Sequence, residues 1–178
     1  MKDCYMILTG QGIAETVRSG DIVITPFQVG ALNPNSYSYH LGGTLRTVVD
    51  GVIDVRAEHE YREHHIGDEG FVLQPHTTYL GTTEEAIGSS HYVPSLIGRS
   101  SMGRLGAFLQ VSADLGNLGA IHKWTLEIVV CQPVRVYRGM VAGQVTFWKP
   151  EGDKTPYSGY FGTRSDAALP NPVQFDVR

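Results

Sequence analysis

The sequence predicts an antiparallel β-sandwich or barrel carrying one or two short helices. Three observations point there. Short runs rich in Val, Ile, Thr and Tyr recur along the chain, each bounded by Gly, Pro or Asn. The chain carries 21 Gly and 9 Pro, enough for many tight turns. Helical periodicity is confined to brief stretches, which argues against alternating helices and parallel strands.

Taken in order, residues Gly10 to Gly20 place Ile13 and Val17 four apart, with the charged Glu15 and Arg18 beside them and Gly20 as a C-terminal cap. This is the first helix. Strands are expected at Ile22–Thr25, at the alternating Tyr37-Ser38-Tyr39-His40-Leu41, and at Val52–Val55. Gly70–Leu73, Trp124–Val130, Val134–Tyr137 and Val145–Trp148 continue the series, and a second short helix is expected at Ser100–Leu105.

The 178 residues suit one domain spanning 1–178, large enough to bury a core without covalent staples. Residues 150–178, rich in Gly, Pro, Asp and Ser, form an extended or mobile C-terminal arm in this reading. A net charge of −4 gives no field to draw in a nucleic-acid polymer, although a local arginine cluster could hold a small phosphorylated ligand. With Cys4 and Cys131 alone, there is no disulfide framework and no CxxC pair. Neither a cleavable leader nor a membrane-spanning run is evident, so the expectation is a soluble, cytoplasmic protein with no membrane association.

Two segments carry candidate chemistry. In Gly98-Arg99-Ser100-Ser101-Met102-Gly103-Arg104-Leu105-Gly106, two serines open a helical turn, with one arginine before it and one within. Helix-start N–H groups, hydroxyls and guanidinium groups all suit phosphate oxygens, but a serine cap beside two solvated arginines fits the same residues. In Trp124–Cys131, alternation puts Trp124, Leu126, Ile128 and Val130 on one face and Thr125, Glu127, Val129 and Cys131 on the other. A poorly hydrated glutamate among apolar neighbours could both accept and donate a proton; a glutamate on a solvated sheet face would show the same periodicity.

Other chemistry is excluded by spacing. Glu58-His59-Glu60-Tyr61-Arg62-Glu63-His64-His65 is one residue too long for the HExxH zinc helix and reads as a charged loop. Zinc-dependent nucleobase deaminases need H-x-E or C-x-E with a later P-C-x-x-C, and neither occurs. There is no GxxxxGK[ST] or GxGxxG phosphate loop and no Gly-x-Ser-x-Gly elbow.

Taken together and in order, the motifs resemble the dCTP deaminases, relatives of the trimeric dUTP pyrophosphatases. They are Met6-Ile7-Leu8-Thr9, Ile24-Thr25-Pro26-Phe27, Asn33-Pro34-Asn35-Ser36-Tyr37 with Leu41-Gly42, Phe71-Val72-Leu73 with Pro75, and Leu80-Gly81-Thr82-Thr83-Glu84. Gly98–Gly106, Trp124-Thr125-Leu126-Glu127 and Gly139-Met140 with Gly143-Gln144 complete the set. The resemblance implies a distorted β-barrel or jelly-roll-like sandwich of the dUTPase-like kind. It implies that Arg99, Ser100, Ser101 and Arg104 hold the triphosphate, that Thr125 and Leu126 line the nucleotide, and that Glu127 is the general base and acid. Ser100 and the Ala113 carbonyl would hold the attacking water. The implied substrate is dCTP or a close deoxycytidine nucleotide, deaminated without zinc to dUTP and ammonia. Mg2+ would come bound to the nucleotide phosphates with no direct protein ligand, and the implied assembly is a homotrimer with active sites between subunits.

Departures from the family pattern mark where this chain could differ. Asn117 stands where the family generally has an aspartate; its amide can hydrogen-bond a sugar but cannot accept a proton. That weighs against diphosphate release, which in the pyrophosphatases uses an aspartate to place water. Gln110 and His122 replace the usual His and Gly, and a regular strand turns His122 away from the face of Glu127. Pro156-Tyr157 matches a family nucleotide contact, while the lysine and glutamine that should follow are missing. In Ser158-Gly159-Tyr160-Phe161-Gly162-Thr163-Arg164, the Phe-Gly-Thr stretch is instead similar to the glycine-rich closing arm of the pyrophosphatases, and Arg164 could supply the lost charge to the phosphates. A dUTP pyrophosphatase, a bifunctional enzyme forming dUMP, and a non-catalytic nucleotide-binding trimer are the competing expectations.

Overall fold

The computed structural model describes residues 6–49, 51–109, 112–159 and 166–169. In them, two open sheets and a two-stranded ribbon pack around one apolar core. The predicted sandwich forms; no closed barrel does among the described residues.

Helix α1, Gly10–Ser19, is the expected amphipathic helix. The Thr9 hydroxyl accepts the Gly12 N–H at 3.2 Å, satisfying an otherwise orphaned donor. Gly20 closes the helix at φ 86°, a left-handed conformation that favours glycine, and donates its N–H to carbonyls of the last turn. Ile13 is buried and Val17 packs beside the core, as their spacing predicts.

The strands in chain order are β1 (Val23–Thr25), β2 (Leu32–Asn33), β3 (Ser36–His40), β4 (Thr44–Val48), β5 (Tyr61–His65) and β6 (Phe71–Leu73). They continue as β7 (Tyr79–Gly88), β8 (Val93–Gly98), β9 (Ala107–Leu109), β10 (Ile121–Val130), β11 (Val134–Val136) and β12 (Val141–Trp148). The larger sheet runs β5-β4-β7-β10-β9 with β1 also on β7; the second runs β2-β3-β12-β8; β11 and β6 form the ribbon. All pairings are antiparallel, so each strand can bury one face and leave the other open.

β10 follows that rule as its sequence alternation predicts. Leu126, Ile128 and Val130 are buried in the core, each contributing about 1.5–3 kcal/mol by leaving water. Thr125 and Glu127 consequently stand on the outer face, half-buried. The β10–β7 ladder slips once: Lys123 faces Ala86, but Thr125 faces Thr82. Thr83 stitches the gap, its hydroxyl accepting the Trp124 N–H at 2.9 Å and donating to the Glu85 carbonyl at 2.7 Å.

At the same irregularity the buried Glu85 carboxylate reaches β3, accepting the His40 N–H at 2.9 Å and lying 2.5 Å from His40 Nδ1. Burial raises the pKa of the neighbouring Tyr39 phenol well above its ordinary value, and the Glu85 charge pushes the same way.

Several expectations are corrected. Val52–Val55 is no strand: Asp54 organises a turn, with its carboxylate accepting the Arg56 N–H at 3.0 Å and its carbonyl the Ala57 N–H at 3.0 Å. Val52, Ile53 and Val55 remain exposed. Part of the expected charged loop, Tyr61–His65, is instead strand β5, paired along its length with β4. Strands β2, β4, β7, β8 and β9 add to the expected set. The second helix, α2, is a single turn at Ser100–Gly103, shorter than the Ser100–Leu105 expected; Gly106, at φ 74°, turns the chain into β9.

Candidate functional site

Glu127 sits on the outer face of β10, opposite Leu80 of β7. Its carboxylate accepts a close hydrogen bond from the Ser112 hydroxyl, which comes from the loop after β9. Antiparallel pairing of β9 with β10, Leu109 opposite Ile128, carries the following loop back past Glu127 and makes this contact possible. A charge-assisted bond of this kind fixes which oxygen is free to meet a ligand. Ala113, expected to offer a carbonyl to water, follows Ser112 directly.

Beside Glu127 on the same face lies a polar cleft of about 200 Å³. Its walls include Arg46 of β4, Thr82 and Glu84 of β7, Lys123 of β10, Arg138, and the closing segment Asp166-Ala167; Glu127 itself lies outside them. Arg46 is tied down by Glu63 at 3.2 Å, Asp166 at 3.3 Å and the Ala167 carbonyl at 2.8 Å. Thr125, two residues from Glu127, accepts the Ala168 N–H at 2.8 Å.

The Arg99–Arg104 turn occupies a different place, at the end of β8 and packed against β9. Ser100, Ser101 and Arg104 are exposed and Arg99 half-buried. Among the described residues, no side-chain hydrogen bond or ion pair holds any of the four. The bonds of this turn are main-chain ones, from the N–H of Met102 and Gly103 to the Arg99 carbonyl and from the Arg104 N–H to the Ser100 carbonyl. Arg99 stands at the N-cap position in extended conformation, so Ser100 and Ser101 occupy the first helical positions.

Asn117 is exposed on the loop leading into β10. The arm is attached beside it: the Tyr157 N–H donates to the Leu118 carbonyl at 2.8 Å. Gly119, at φ 85°, lets Pro156 approach so closely that a Cβ there would sit 2.9 Å from the proline ring. Leu126 is wholly buried, which leaves only its main chain for a ligand. His122 is also buried, its ring tilted at 37° against that of Trp124 with centroids 4.3 Å apart and away from the face of Glu127, as expected. Burial lowers its imidazole below the ordinary 6.5, opposed by a 2.8 Å hydrogen bond to the Lys123 carbonyl. Arg164 and Gln110 lie outside the described residues.

The structure therefore joins Ser112 to Glu127, Tyr157 to the Asn117 loop, and Thr125 to the closing segment; it does not join the Arg99–Arg104 turn to Glu127. Ser112 is the site residue the sequence reading missed; Arg46, which anchors the closing segment rather than Glu127, was also missed. Ser112 adjoins Ala113 and could have been tested as a partner for Glu127, whereas nothing in the local pattern of β4 marks Arg46. Among the described residues, no group of three or more His, Cys, Asp or Glu side chains gathers to hold a metal ion. No helix of the described residues is long and apolar enough to cross a membrane.

An antiparallel sandwich with a glutamate held by a hydroxyl on an open sheet face, beside a polar cleft and a separate arginine-serine turn, defines a candidate nucleotide site. A family model described as dCTP deaminase-like matches residues 7–150. The dCTP deaminase of Rhodopirellula baltica is 43% identical over 148 residues, covering 83% of this chain and 74% of that protein. A protein of Clostridium acetobutylicum named dCTP deaminase, dUMP-forming, is 40% identical over 153 residues, 86% of this chain and 88% of that one. The chain belongs to the dCTP deaminase-like family. The fold is shared with the crystal structure of 2'-deoxycytidine 5'-triphosphate deaminase from Agrobacterium tumefaciens, at TM-score 0.66 and 20% identity over 82% of this chain. This chain spans about half the length of that one, 48%.

Proposed function

We propose that this chain is a dCTP deaminase acting by zinc-independent hydrolysis, with dUTP and ammonia as products. That it is a hydrolytic deaminase of a deoxycytidine nucleotide follows from its family and from relatives named for that reaction. The observation that carries the finer reading is Glu127, aimed outward from β10 and anchored on one side by Ser112.

In this reading, water is held by the Ser100 hydroxyl and the Ala113 carbonyl and adds to C4 of cytosine. Glu127 takes the proton that water loses and delivers it to N3 of the ring; it then takes the proton of the new C4 hydroxyl and passes it to the amino group, which leaves as ammonia as the C4 carbonyl forms. Fixed hydrogen bonds stabilise the charge that develops at the ring. The triphosphate rests on Arg99, Ser100, Ser101 and Arg104, whose side chains no described residue engages, with Arg164 and Tyr157 contributing from the arm. Thr125 and the main chain of Leu126 face the base, and Asn117 the sugar. Mg2+ arrives as part of the substrate, held by phosphate oxygens.

Separation of the Arg99–Arg104 turn from Glu127 supports a homotrimer, in which one subunit's turn faces the next subunit's β10. The oligomer would supply the wall that the open face of Glu127 lacks.

A second reading, formation of dUMP by the same chain, is favoured by the dUMP-forming name of the Clostridium acetobutylicum relative. Asn117 opposes it, because an amide cannot act as the base for a diphosphate-releasing water. Incubation with dCTP or dUTP and Mg2+, following ammonia, dUTP, dUMP and diphosphate, separates the readings. Ammonia with dUTP and no diphosphate supports the first. Ammonia with dUMP and diphosphate supports the second, diphosphate from dUTP alone makes the chain a pyrophosphatase, and binding without product overturns all three.

A further inference from the structure

Residues Asp166 to Ala168 lie across the same sheet face as Glu127. Ala168 donates its N–H to Thr125 Oγ1 at 2.8 Å, and Arg46 holds the preceding Ala167 carbonyl at 2.8 Å and Asp166 at 3.3 Å. Ala167 is only 6% exposed, so the segment is seated rather than loosely apposed. Thr125 and Glu127 are two residues apart on one face of β10, about 7 Å along the strand. A pyrimidine ring reacting at Glu127 must lie against that surface.

The segment already presents an N–H donor to the Thr125 hydroxyl. Cytosine's exocyclic amine is a donor of the same type. Building on the nucleotide reading above, we infer that residues 166–168 are a built-in competitor: in the free protein they occupy the surface where the base meets Thr125, with Arg46 as their latch, and nucleotide binding displaces them.

The contacts are of the right strength for this. They amount to one neutral hydrogen bond, one hydrogen bond from the Arg46 guanidinium to a carbonyl and one ion pair between partly exposed groups, together worth a few kcal/mol at most, so a nucleotide with a triphosphate anchor can outcompete them. Occupancy by the segment lowers apparent nucleotide affinity by the fraction of molecules left open, without touching the chemical step. Weakening the segment should therefore lower KM and leave kcat alone.

Two substitutions act on opposite ends of the device. Ala168→Pro deletes the donor to Thr125, since proline has no N–H. Arg46→Met deletes the latch while keeping a long side chain. Both are expected to lower the KM for dCTP at least threefold with kcat within twofold of wild type. In a Glu127→Gln background, saturating dCTP is expected to speed amide exchange in the peptide covering 166–169 while slowing it in β10. Unchanged or raised KM in both variants, or slower exchange in 166–169 with dCTP bound, would show a clamp over the ligand and overturn the proposal. A wild-type protein that neither binds nor deaminates dCTP overturns the site reading and the competitor together; turnover with KM indifferent to both substitutions overturns the competitor alone.

Discussion

Removing the Ser112 hydroxyl tests whether Glu127 works from a fixed position. In Ser112→Ala, the Glu127 carboxylate loses the donor that holds one of its oxygens. A hydrogen bond to a charged group contributes about 1.5–3 kcal/mol when well shielded. Ser112 is exposed and Glu127 half-buried, so water replaces part of that, and about 1 kcal/mol is a reasonable share. If the bond serves to orient the carboxylate for proton transfer, the loss falls on the transition state and is about fivefold in kcat. KM should move less than twofold, and Ser112→Thr, which keeps the hydroxyl, should recover most of the rate. Steady-state release of ammonia from dCTP reads all three, with thermal unfolding run alongside to detect general damage. A Ser112→Ala enzyme with kcat within twofold of wild type would refute the positioning argument, as would a threonine variant no better than alanine.

Other expectations follow from the same geometry. Glu127→Gln should keep nucleotide binding, measured by calorimetry, and lose turnover by a factor of at least about a thousand, within the range general acid-base groups supply. His40→Ala leaves the buried Glu85 carboxylate without its nearest partner and should cost about 3–5 kcal/mol in urea unfolding, whereas the double change to His40→Leu with Glu85→Met should cost much less. For His122, burial lowers the folded-state value below 6.5, so at acid pH the unfolded chain binds the extra proton. Stability should thus be full above about pH 6.5 and decline as pH falls below it; His122→Gln should flatten that decline in unfolding curves taken from pH 7.5 to 5.5.

How far the sequence could be read depended on whether each element announced its own burial. Helix α1 carried a cap, an apolar pair at helical spacing and a closing glycine, all local features, and it formed as expected. β10 alternated strictly enough to place Glu127 on the outer face. Val52–Val55 carried strand-forming side chains but met no partner, and the turn chemistry of Asp54 prevailed. β5 went unrecognised because it is an edge strand whose side chains are mostly exposed and charged, so pairing with β4 rather than apolar content makes it a strand. β7 buries Thr83 and Glu85, which read as surface residues until Trp124 and His40 are seen to satisfy them. The Ser112 contact with Glu127 spans 15 residues and depends on the β9–β10 register, information that no local window contains.

The slip in the β10–β7 ladder has a consequence for how this chain can change length. From Lys123 to Thr125 is two steps on β10, while their partners Ala86 and Thr82 are four apart on β7. Both counts are even, so side chains keep their faces on either side of the slip: Thr82 and Glu84 remain outside, Thr83 and Glu85 inside. Inserting or deleting one residue between Thr82 and Ala86 would invert one half of β7 against the other, forcing either Glu84 into the core or the far end of the strand out of it. A change of two would merely enlarge or erase the slip. Here the lattice of the sheet acts as a parity check on the gene, passing even length changes and rejecting odd ones.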